Sequence, residues 1–412
     1  MSETLKSPPS KGKYLIVGGG LSGLILALTL YEKGIEFTLL DKEPIHHSSR
    51  TAAGLLNPVV FKRLNMSWRA DEFLPFAYNF YKRWERSLKK EFYSNRSFLK
   101  PITDSDKAIY WQKKADGELA GLIDKEILPQ HEGLAPHIGL GIVGKAGVLD
   151  TESFLNAVKV FFSSKNMLLT SEVNLNQELI RRVYSIISSY KSKSGLKTHN
   201  QIVGIQKFSI YLNSSEKCID FAGNNYDKII FCEGNRASKN PLWSCLPWKL
   251  AKGEVLKVQI KNSKALDLLE KGHIISKDVF VFKSTNGEFV CGSNYDWEYE
   301  NENPTTKIKK ELLRKLEALL PGAEIEVKEH LSGIRPTVAD RRPFIGSHPY
   351  ISNCYIFNGM GSKAAMIAPN MASEFVQNLL NSESKIDNDV DISRFNKRFF
   401  KSFELGELGK QS

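Results

Sequence analysis

The fold of this chain is decided by residues 13–23, which read Lys13-Tyr14-Leu15-Ile16-Val17-Gly18-Gly19-Gly20-Leu21-Ser22-Gly23. Three adjacent aliphatic residues end at a glycine, which is typical of a buried parallel strand. From Leu21 to Lys33 the apolar residues recur at helical spacing, and Gly34 follows as a C-terminal stop. The order of strand, glycine turn and helix predicts a dinucleotide-binding unit.

The spacing of three glycines gives each of them a separate task in such a unit. Gly18 permits the tight turn, Gly20 lets a pyrophosphate approach the backbone, and Gly23 packs the helix on the strand. Leu21 and Ser22 lie at the helix N-terminus, where backbone N–H groups and the helix dipole favour phosphate. These residues are the first candidates for binding a cofactor.

A second apolar run, residues 36–40, is followed by Asp41 and Lys42. Asp41 stands 18 residues beyond Gly23, near the spacing of the carboxylate that binds a ribose 2′-hydroxyl. The same carboxylate disfavours a 2′-phosphate and therefore NADP. The pattern predicts a dinucleotide, but it does not separate FAD from NAD.

Residues 48–57 (SSRTAAGLLN) carry the first signal that separates the two cofactors. This segment resembles the small-residue segment of the D-amino-acid oxidase-like family, which includes glycine oxidase, sarcosine oxidase and the oxidase half of a bifunctional tRNA wobble-uridine-modifying enzyme. Similar blocks are residues 226–234 (YDKIIFCEG), and residues 333–346 (GIRPTVADRRPFIG) with 355–363 (YIFNGMGSK). The resemblance spans roughly residues 13–382.

The resemblance implies that FAD is the cofactor and that both ends of the chain build its site. Ser49 and Arg50 can donate hydrogen bonds to phosphate. At the other end, backbone amides around Gly361 could stabilise negative charge on the N1–C2=O side of the reduced flavin. The implied FAD residues, besides those of the first 42 positions, are Ser49, Arg50, Thr51, Ala53, Gly54, Gly234, Gly359, Met360, Gly361, Ser362 and Lys363.

The family's organisation implies an α/β fold with a Rossmann-like FAD-binding domain, discontinuous in sequence, and an inserted antiparallel-sheet substrate domain. We expect the FAD-binding domain in residues 13–90, 149–247 and 330–382, the substrate domain in 91–148 and 248–329, and a C-terminal tail in 383–412. Thr151 is expected to be the N-cap of a helix through Phe161. Further helices are expected over residues 306–320 and, without a functional interpretation, 179–190.

One departure from the relatives bears on how the flavin is held. Several family members attach it covalently, through a His in the small-residue segment or a Cys near the Arg-Pro block. Here Thr51 occupies the first position, and residues 333–346 contain no Cys. We therefore expect FAD to be bound non-covalently.

The substrate site is implied mainly by Arg335. A guanidinium binds a carboxylate through two parallel hydrogen bonds, and an internal ion pair with Asp340 is the alternative. Glycine oxidase-like members carry a further Arg before the final helix, where this chain has Lys363, which offers only a point charge. Tyr295, followed by Trp297, either lines the substrate pocket or packs as an ordinary sheet aromatic.

These features predict an FAD-dependent oxidase or dehydrogenase that converts the C–N bond of a small amine or amino acid to an imine by hydride transfer to flavin N5. The alternative is a tRNA wobble-uridine oxidase acting on a carboxymethylaminomethyl side chain, because the chain is basic and residues 291–296 (CGSNYD) resemble a turn of that enzyme. A catalytically inactive flavoprotein scaffold is the third hypothesis, since Lys363 departs from the family pattern.

Composition and charge narrow the class of protein further. The 57 basic and 46 acidic residues give a net charge of +11, spread over many segments, which can attract phosphates or an acidic partner. The cysteines lie far apart without a Cys-x-x-Cys, so reduced thiols and no metal site are expected. No apolar run reaches the roughly 20 residues of a membrane helix, and the polar start is not a signal peptide. A cytoplasmic protein of undetermined oligomeric state is expected.

Overall fold

The computed structural model describes residues 12–42, 48–170, 173–174, 208–212, 218–221, 226–351, 353–381 and 383–399, so the helix expected over 179–190 lies outside the described residues. The helices are α1 (Leu21–Glu32), α2 (Ser48–Thr51), α3 (Ala70–Leu88), α4 (Ser105–Ala115), α5 (Thr151–Ser164), α6 (Leu266–Glu270), α7 (Thr306–Leu319) and α8 (Ala364–Leu380), with 3₁₀ turns at Gly234–Ser238, Gly361–Lys363 and Ile392–Phe395. The strands are β1 (Lys13–Val17), β2 (Glu36–Asp41), β3 (Leu55–Leu56), β4 (Val59–Val60), β5 (Asn65–Met66), β6 (Tyr93–Ile102), β7 (Gly139–Leu149), β8 (Leu168–Thr170), β9 (Val173–Asn174), β10 (Phe208–Leu212), β11 (Cys218–Phe221), β12 (Lys228–Phe231), β13 (Ala251–Lys261), β14 (Ile274–Ser276), β15 (Phe280–Lys283), β16 (Phe289–Gly292), β17 (Glu324–Arg335), β18 (Phe344–Ser347) and β19 (Cys354–Asn358).

The first large sheet has the order β18-β19-β12-β1-β2-β8 within the described ranges. β1 pairs in parallel with both β2 and β12, and β12 pairs in parallel with β19. Strands from three distant parts of the chain therefore lie side by side. The Rossmann-like, discontinuous cofactor domain predicted from the sequence is confirmed. Strand β1 has the predicted bounds, and Gly34 follows α1 with a φ of 64° that favours glycine.

Two hydrophobic cores cover the faces of this cofactor sheet. Helices α1, α3, α5 and α8 pack together on one face, where the side chains of Leu24, Phe80, Phe154 and Phe375 are buried. The second core packs on the opposite face around Trp243, and it includes Phe399 from the C-terminal tail. The described part of the tail thus packs on the face of the cofactor sheet that lies opposite to α1, α3, α5 and α8.

The second large sheet has the order β17-β13-β16-β15-β14-β6-β7-β3. Its pairs are antiparallel apart from the parallel pair β14–β6. One face packs on α7 through residues such as Leu256 and Val281. Their sequence neighbours Val255 and Phe280 point to the opposite face, because side chains alternate along a strand. The inserted antiparallel-sheet domain of the prediction is confirmed.

The predicted domain ranges begin the last cofactor segment at residue 330. Strand β17 nevertheless runs without interruption from Glu324 to Arg335 and pairs with β13 over this length, so residues 330–335 lie in the second sheet. The chain passes from the second sheet to the first sheet only after residue 335. The exact ranges of the two domains stay a prediction.

The expected role of Thr151 as an N-cap is wrong. Asp150 is the N-cap of α5, and its Oδ1 accepts a hydrogen bond of 3.0 Å from the Ser153 amide. A carboxylate at this position satisfies an N–H group that the helix cannot satisfy itself. Thr151 instead donates from its hydroxyl to the Ala52 carbonyl at 3.0 Å, which ties α5 to the small-residue segment.

Candidate active site

A cavity of about 1130 Å³ lies between the two large sheets. It is lined by residues 18–22 of the glycine turn, most of residues 48–57, the turn that follows β12, the end of β17 and residues 360–365; Gly23, predicted at the cofactor, lies outside the lining. The blocks that carried the sequence prediction are therefore brought to one place. Of the predicted residues, Gly18, Gly20, Leu21, Ser22, Asp41, Lys42, Ser49, Thr51, Ala53, Gly54, Gly234, Tyr295, Arg335, Met360, Gly361, Ser362 and Lys363 line it.

The glycine turn is packed too tightly for side chains. Gly18 has a φ of 109°, and a Cβ placed on it would lie 2.4 Å from the carbonyl oxygen of Cys232. A Cβ on Gly23 would lie 1.8 Å from the carbonyl oxygen of Gly18, so only glycine lets α1 approach β1 this closely. Gly20 begins α1, and its carbonyl accepts from Leu24 at 2.9 Å. The turn thus presents backbone to the cavity.

Asp41 is held against this turn by two contacts. Its Oδ1 accepts a 3.0 Å hydrogen bond from the Gly19 amide, and its Oδ2 lies 2.5 Å from the ammonium of Lys159 on α5. Both side chains of the ion pair are buried. The sequence analysis missed Lys159, although a lysine among the apolar residues Leu155 and Phe162 of a helix was a signal that could have been used.

The small-residue segment contacts the start of α1 and the second sheet. The Ser49 hydroxyl accepts from the Leu21 amide at 3.1 Å, and the Thr51 hydroxyl donates to the Ser332 carbonyl at 3.0 Å. Gly54 has a φ of 66°, and a Cβ there would lie 1.8 Å from the Leu149 carbonyl oxygen. Arg50 does not line the cavity; its Nη1 lies 4.0 Å from the Glu152 carboxylate.

Lys363 enters the cavity at the start of α8. Its ammonium donates to the Ser67 hydroxyl at 2.5 Å, and that hydroxyl donates to the Asn57 carbonyl at 3.0 Å. Burial, with the nearby charges of Arg341 and Arg342, lowers the pKa of Lys363 to about 8. Ser67 and Asn57 were missed by the sequence analysis. Gly359 lies beneath the lining, where a Cβ would be 2.8 Å from Val338.

Arg335 ends β17 and lies half-buried at the other side of the cavity. Its Nη1 donates to the carbonyls of Lys252 at 3.3 Å and Asn294 at 3.1 Å, and its Nη2 donates to the Ser293 hydroxyl at 3.0 Å. The guanidinium carbon lies over the Tyr295 ring, 4.0 Å from its centroid. Gly253 also packs against the Arg335 guanidinium, since a Cβ at this position would lie 1.9 Å from Nη2.

The alternative that Arg335 forms an ion pair with Asp340 is wrong. Asp340 pairs with Arg394 instead, at 3.0 Å from Nε to Oδ2. Among the described residues, Nε and the second hydrogen of Nη2 have no acceptor, so one edge of the Arg335 guanidinium has donors available for a carboxylate. The side chain lines the cavity, where such a ligand would reach it.

Tyr295 connects the two sheets across the cavity mouth. Its hydroxyl donates to the Ser362 hydroxyl at 2.7 Å, and its ring stacks on that of Trp297 with 5.9 Å between centroids. Tyr295 lies in the loop of residues 293–305, which the buried Glu254 anchors at its C-terminal end. The Glu254 carboxylate accepts from the Thr305 backbone amide at 2.9 Å and lies 2.7 Å from His330 Nε2. This supporting group was not predicted.

Glu233 is an acid at the cofactor end of the cavity that the sequence analysis passed over. Its Oε2 accepts from Nδ2 of the Asn240 side chain at 2.7 Å, and burial raises the pKa of Glu233 to about 7. In the described part of the chain, no group of three or more His, Cys, Asp or Glu residues could hold a metal ion, and no helix is long and apolar enough to cross a membrane.

Comparison with known proteins bears on the nature of this cavity. A family model described as FAD dependent oxidoreductase (DAO) matches residues 13–377. The chain is 22% identical over 371 residues to a glycine oxidase of Pseudomonas aeruginosa, covering 87% of this chain and 92% of that protein. Iminodiacetate oxidase from Chelativorans sp. BNC1 superposes with a TM-score of 0.68 at 16% identity, over 89% of this chain and 95% of that one. A glycine oxidase from Bacillus cereus superposes with a TM-score of 0.68 at 17% identity, over 91% and 96%. These structures share the fold.

The residues present fit an FAD. The glycine turn leaves bare backbone at the N-terminus of α1, where phosphates bind. A Cβ on Gly19 would lie 2.5 Å from Asp41 Cγ, so the carboxylate expected at the ribose lies directly beside the turn. The same cavity continues to residues 361–363 and to Arg335, which gives it room for a flavin and a substrate.

Proposed function

Because this chain belongs to the family of FAD-dependent oxidoreductases, we propose that it oxidises the C–N bond of a small amine or amino acid to an imine. FAD, when bound, accepts at N5 the hydride of the C–H bond next to nitrogen, and with it two electrons, while the nitrogen releases a proton. Water then hydrolyses the imine to a carbonyl compound and ammonia or an amine, and oxygen or another acceptor takes up the two electrons.

One observation carries this proposal: the available donor edge of Arg335 inside the cavity. Ser293, the two carbonyls and the Tyr295 ring hold the guanidinium, so little side-chain entropy is lost when a carboxylate binds. Lys363 adds a further cation to the same cavity. Glycine oxidase and iminodiacetate oxidase are named for substrates that carry both an amine and a carboxylate, which agrees with this arrangement.

Tyr295 and Ser362 are proposed to close the mouth over the substrate and to exclude water from it. Their hydrogen bond joins the two sheets at the point where residues 361–363 meet the loop after β16. Exclusion of water strengthens the hydrogen bonds that Arg335 makes to a carboxylate.

The FAD is proposed to be bound without a covalent link. Cys232 is the one cysteine that lines the cavity in the described part of the chain, and no histidine lines it. Cys232 lies under the glycine turn, where a Cβ on Gly23 would be 3.3 Å from its own Cβ, and burial raises the pKa of its thiol. The expected result is that acid precipitation releases all of the flavin into the supernatant. Yellow precipitate would contradict it.

The test of the proposed function is anaerobic reduction of the bound flavin by a panel of amines with and without a carboxylate. Carboxylated amines should bleach the flavin, and Arg335→Leu should slow them by roughly 10- to 100-fold, since hydrogen bonds to charged groups contribute about 1.5–3 kcal/mol. Arg96→Leu is the matched control, because Arg96 is also half-buried and also donates to two backbone carbonyls, of Gly272 before β14 and of Lys283 in β15, but does not line the cavity.

Bleaching by none of the amines would overturn the proposal and leave the tRNA and scaffold hypotheses. Equal rates for the wild type and Arg335→Leu would remove Arg335 from the substrate site. The variants should contain the same amount of FAD as the wild type, because Arg335 belongs to the second sheet.

A second candidate function is oxidation of a modified tRNA base. The exposed, stacked rings of Tyr295 and Trp297, with the Lys249 ammonium 5.6 Å from the Trp297 centroid, favour it, because such rings can stack on nucleobases. The acidic side chains of the same loop weigh against phosphate contacts there, namely Asp296, Glu298, Glu300 and Glu302. Binding to total tRNA that weakens with added salt would support this candidate. Absence of binding at low salt would exclude it.

A further inference from the structure

We propose that the substrate carries a bulky apolar substituent, of the size of an isobutyl or benzyl group, and that an apolar wall of the cavity binds it. The apolar wall consists of Leu55, Phe61, Phe98, Val255 and Phe280, all of which line the cavity. This inference rests on the proposed amine oxidation and names the class of amine.

The apolar wall begins beside the carboxylate site. A Cβ placed on Gly292 would lie 2.8 Å from Val255 Cγ1 and 3.1 Å from Phe280 Cζ, so both side chains pack directly against that glycine. The next residue, Ser293, accepts the hydrogen bond from Arg335. A substrate carboxylate held by Arg335 therefore has its substituent next to Val255 and Phe280.

The wall continues away from Arg335 to two further rings. Phe61 and Phe98 meet edge to face with 5.5 Å between their centroids, and Phe98 is 1% exposed within the core of the second sheet. Phe98 is thus fixed by its surroundings and supports Phe61, which is half-buried and faces the cavity. Leu55 of β3 also packs against this core.

None of the five side chains has a polar atom, and the three that are only partly buried, Leu55, Phe61 and Phe280, form a surface that an amine as small as glycine leaves largely uncovered. Covering such a surface with a phenyl- or isobutyl-sized group corresponds to roughly 10- to 150-fold in kcat/KM. A charged substituent would lose its hydration there without gaining a partner from these residues. The apolar wall therefore selects against small amines.

The test compares anaerobic flavin reduction by phenylalanine, leucine and N-benzylglycine with reduction by glycine and sarcosine, using both enantiomers of the chiral amino acids. At least one bulky amine should reduce the flavin 10-fold or more faster, per molar concentration, than the small amines. Phe61→Ala should lower the rate with the bulky amine about 10-fold and leave the rate with the small amines within twofold. Phe61→Leu, a milder truncation, should give a smaller loss in the same direction.

Phe76→Ala is the matched control, because Phe76 of α3 is also half-buried but packs on the core of the first sheet, away from the cavity. It should leave the ratio of bulky to small amines unchanged. Glycine or sarcosine reacting as fast as every bulky amine would overturn the apolar wall and leave amine oxidation intact. A ratio that Phe61→Ala and Phe61→Leu do not change would overturn it as well. Reduction by no amine would instead overturn the proposed function itself.

Discussion

The glycine turn and the group around Arg335 line the same cavity but are built in opposite ways. The turn comes from six consecutive residues and offers backbone groups to the cofactor. The Arg335 cluster, defined as Ser293, Tyr295 and Arg335 packed against Gly253, offers side chains that come from distant positions of the chain. The cofactor end of the cavity is therefore formed by a short sequence motif, whereas the residues of the substrate end come together only when the second sheet folds.

Glycine is required in both regions, for different reasons. At Gly23 a Cβ would collide with a backbone carbonyl oxygen at 1.8 Å, which has no freedom to move. At Gly253 a Cβ would collide with the Arg335 guanidinium at 1.9 Å, which can rotate away but then loses its position. The same substitution should consequently damage cofactor binding in one region and substrate binding in the other.

Gly23→Ala should have the largest effect. Separation of α1 from β1 disrupts the turn, and we expect FAD affinity to fall on the order of 100-fold, since overpacking a rigid site costs about 1–3 kcal/mol. The measurement is the flavin content of the purified protein and its FAD dissociation constant. Gly144→Ala is the control, because nothing lies within 4 Å of a Cβ at that strand position. Retention of full flavin content by Gly23→Ala would contradict the account of the turn.

Gly253→Ala should show the opposite pattern. We expect normal FAD content and a loss of roughly 30-fold in kcat/KM for a carboxylated amine, because the displaced guanidinium no longer presents its donor edge. Steady-state kinetics on the flavin-loaded variant measures this. If Gly253→Ala loses its flavin as Gly23→Ala does, the two regions are not separable.

Lys363→Met sharpens the comparison through pH. The pKa of Lys363 is lowered to about 8, so the side chain is charged below that pH and neutral above it. Affinity of the flavin-loaded protein for a carboxylate such as benzoate should therefore be highest below pH 8 and fall about tenfold as the pH rises through this range. A spectral titration of the flavin between pH 6 and pH 10 tests it. Lys363→Met should bind weakly without the inflection, and an unchanged inflection in this variant would assign it to another group.

Tyr295→Phe should have the smallest effect. It removes the hydrogen bond to Ser362 but keeps the ring under the Arg335 guanidinium. A net contribution of about 1 kcal/mol predicts a roughly fivefold loss in kcat/KM with unchanged FAD content. The double variant Tyr295→Phe with Ser362→Ala should be no worse than the single variant. An additive loss would show that the two hydroxyls act independently.

The cofactor domain could be predicted because its signals are local. The period of apolar residues changes from strand to helix across residues 13–33, and each glycine marks a backbone constraint that structure then shows at Gly18 and Gly23. The C-terminal block contributes β19, which pairs with β12 and extends the sheet. Resemblance to a family was still needed to choose FAD.

The substrate end could not be predicted to the same depth, because its contacts join residues that no local pattern relates. Ser67 is 296 positions from Lys363, and its hydroxyl is an ordinary side chain in the sequence. Lys159 and Asp41 meet only when α5 packs beside β2. Arg50, by contrast, followed the motif, but its side chain lies beside Glu152 and outside the cavity lining, because successive side chains of the helix α2 project about 100° apart around its axis.

The most direct test of the central claim is an anaerobic titration of the flavin-loaded protein with a carboxylated amine that bears a bulky apolar group. The account predicts that one molar equivalent of amine, which gives up two electrons, bleaches one equivalent of bound flavin and yields one equivalent of carbonyl product. A flavin that stays oxidised with excess amine, although dithionite reduces it, would contradict the claim that this cavity oxidises amines.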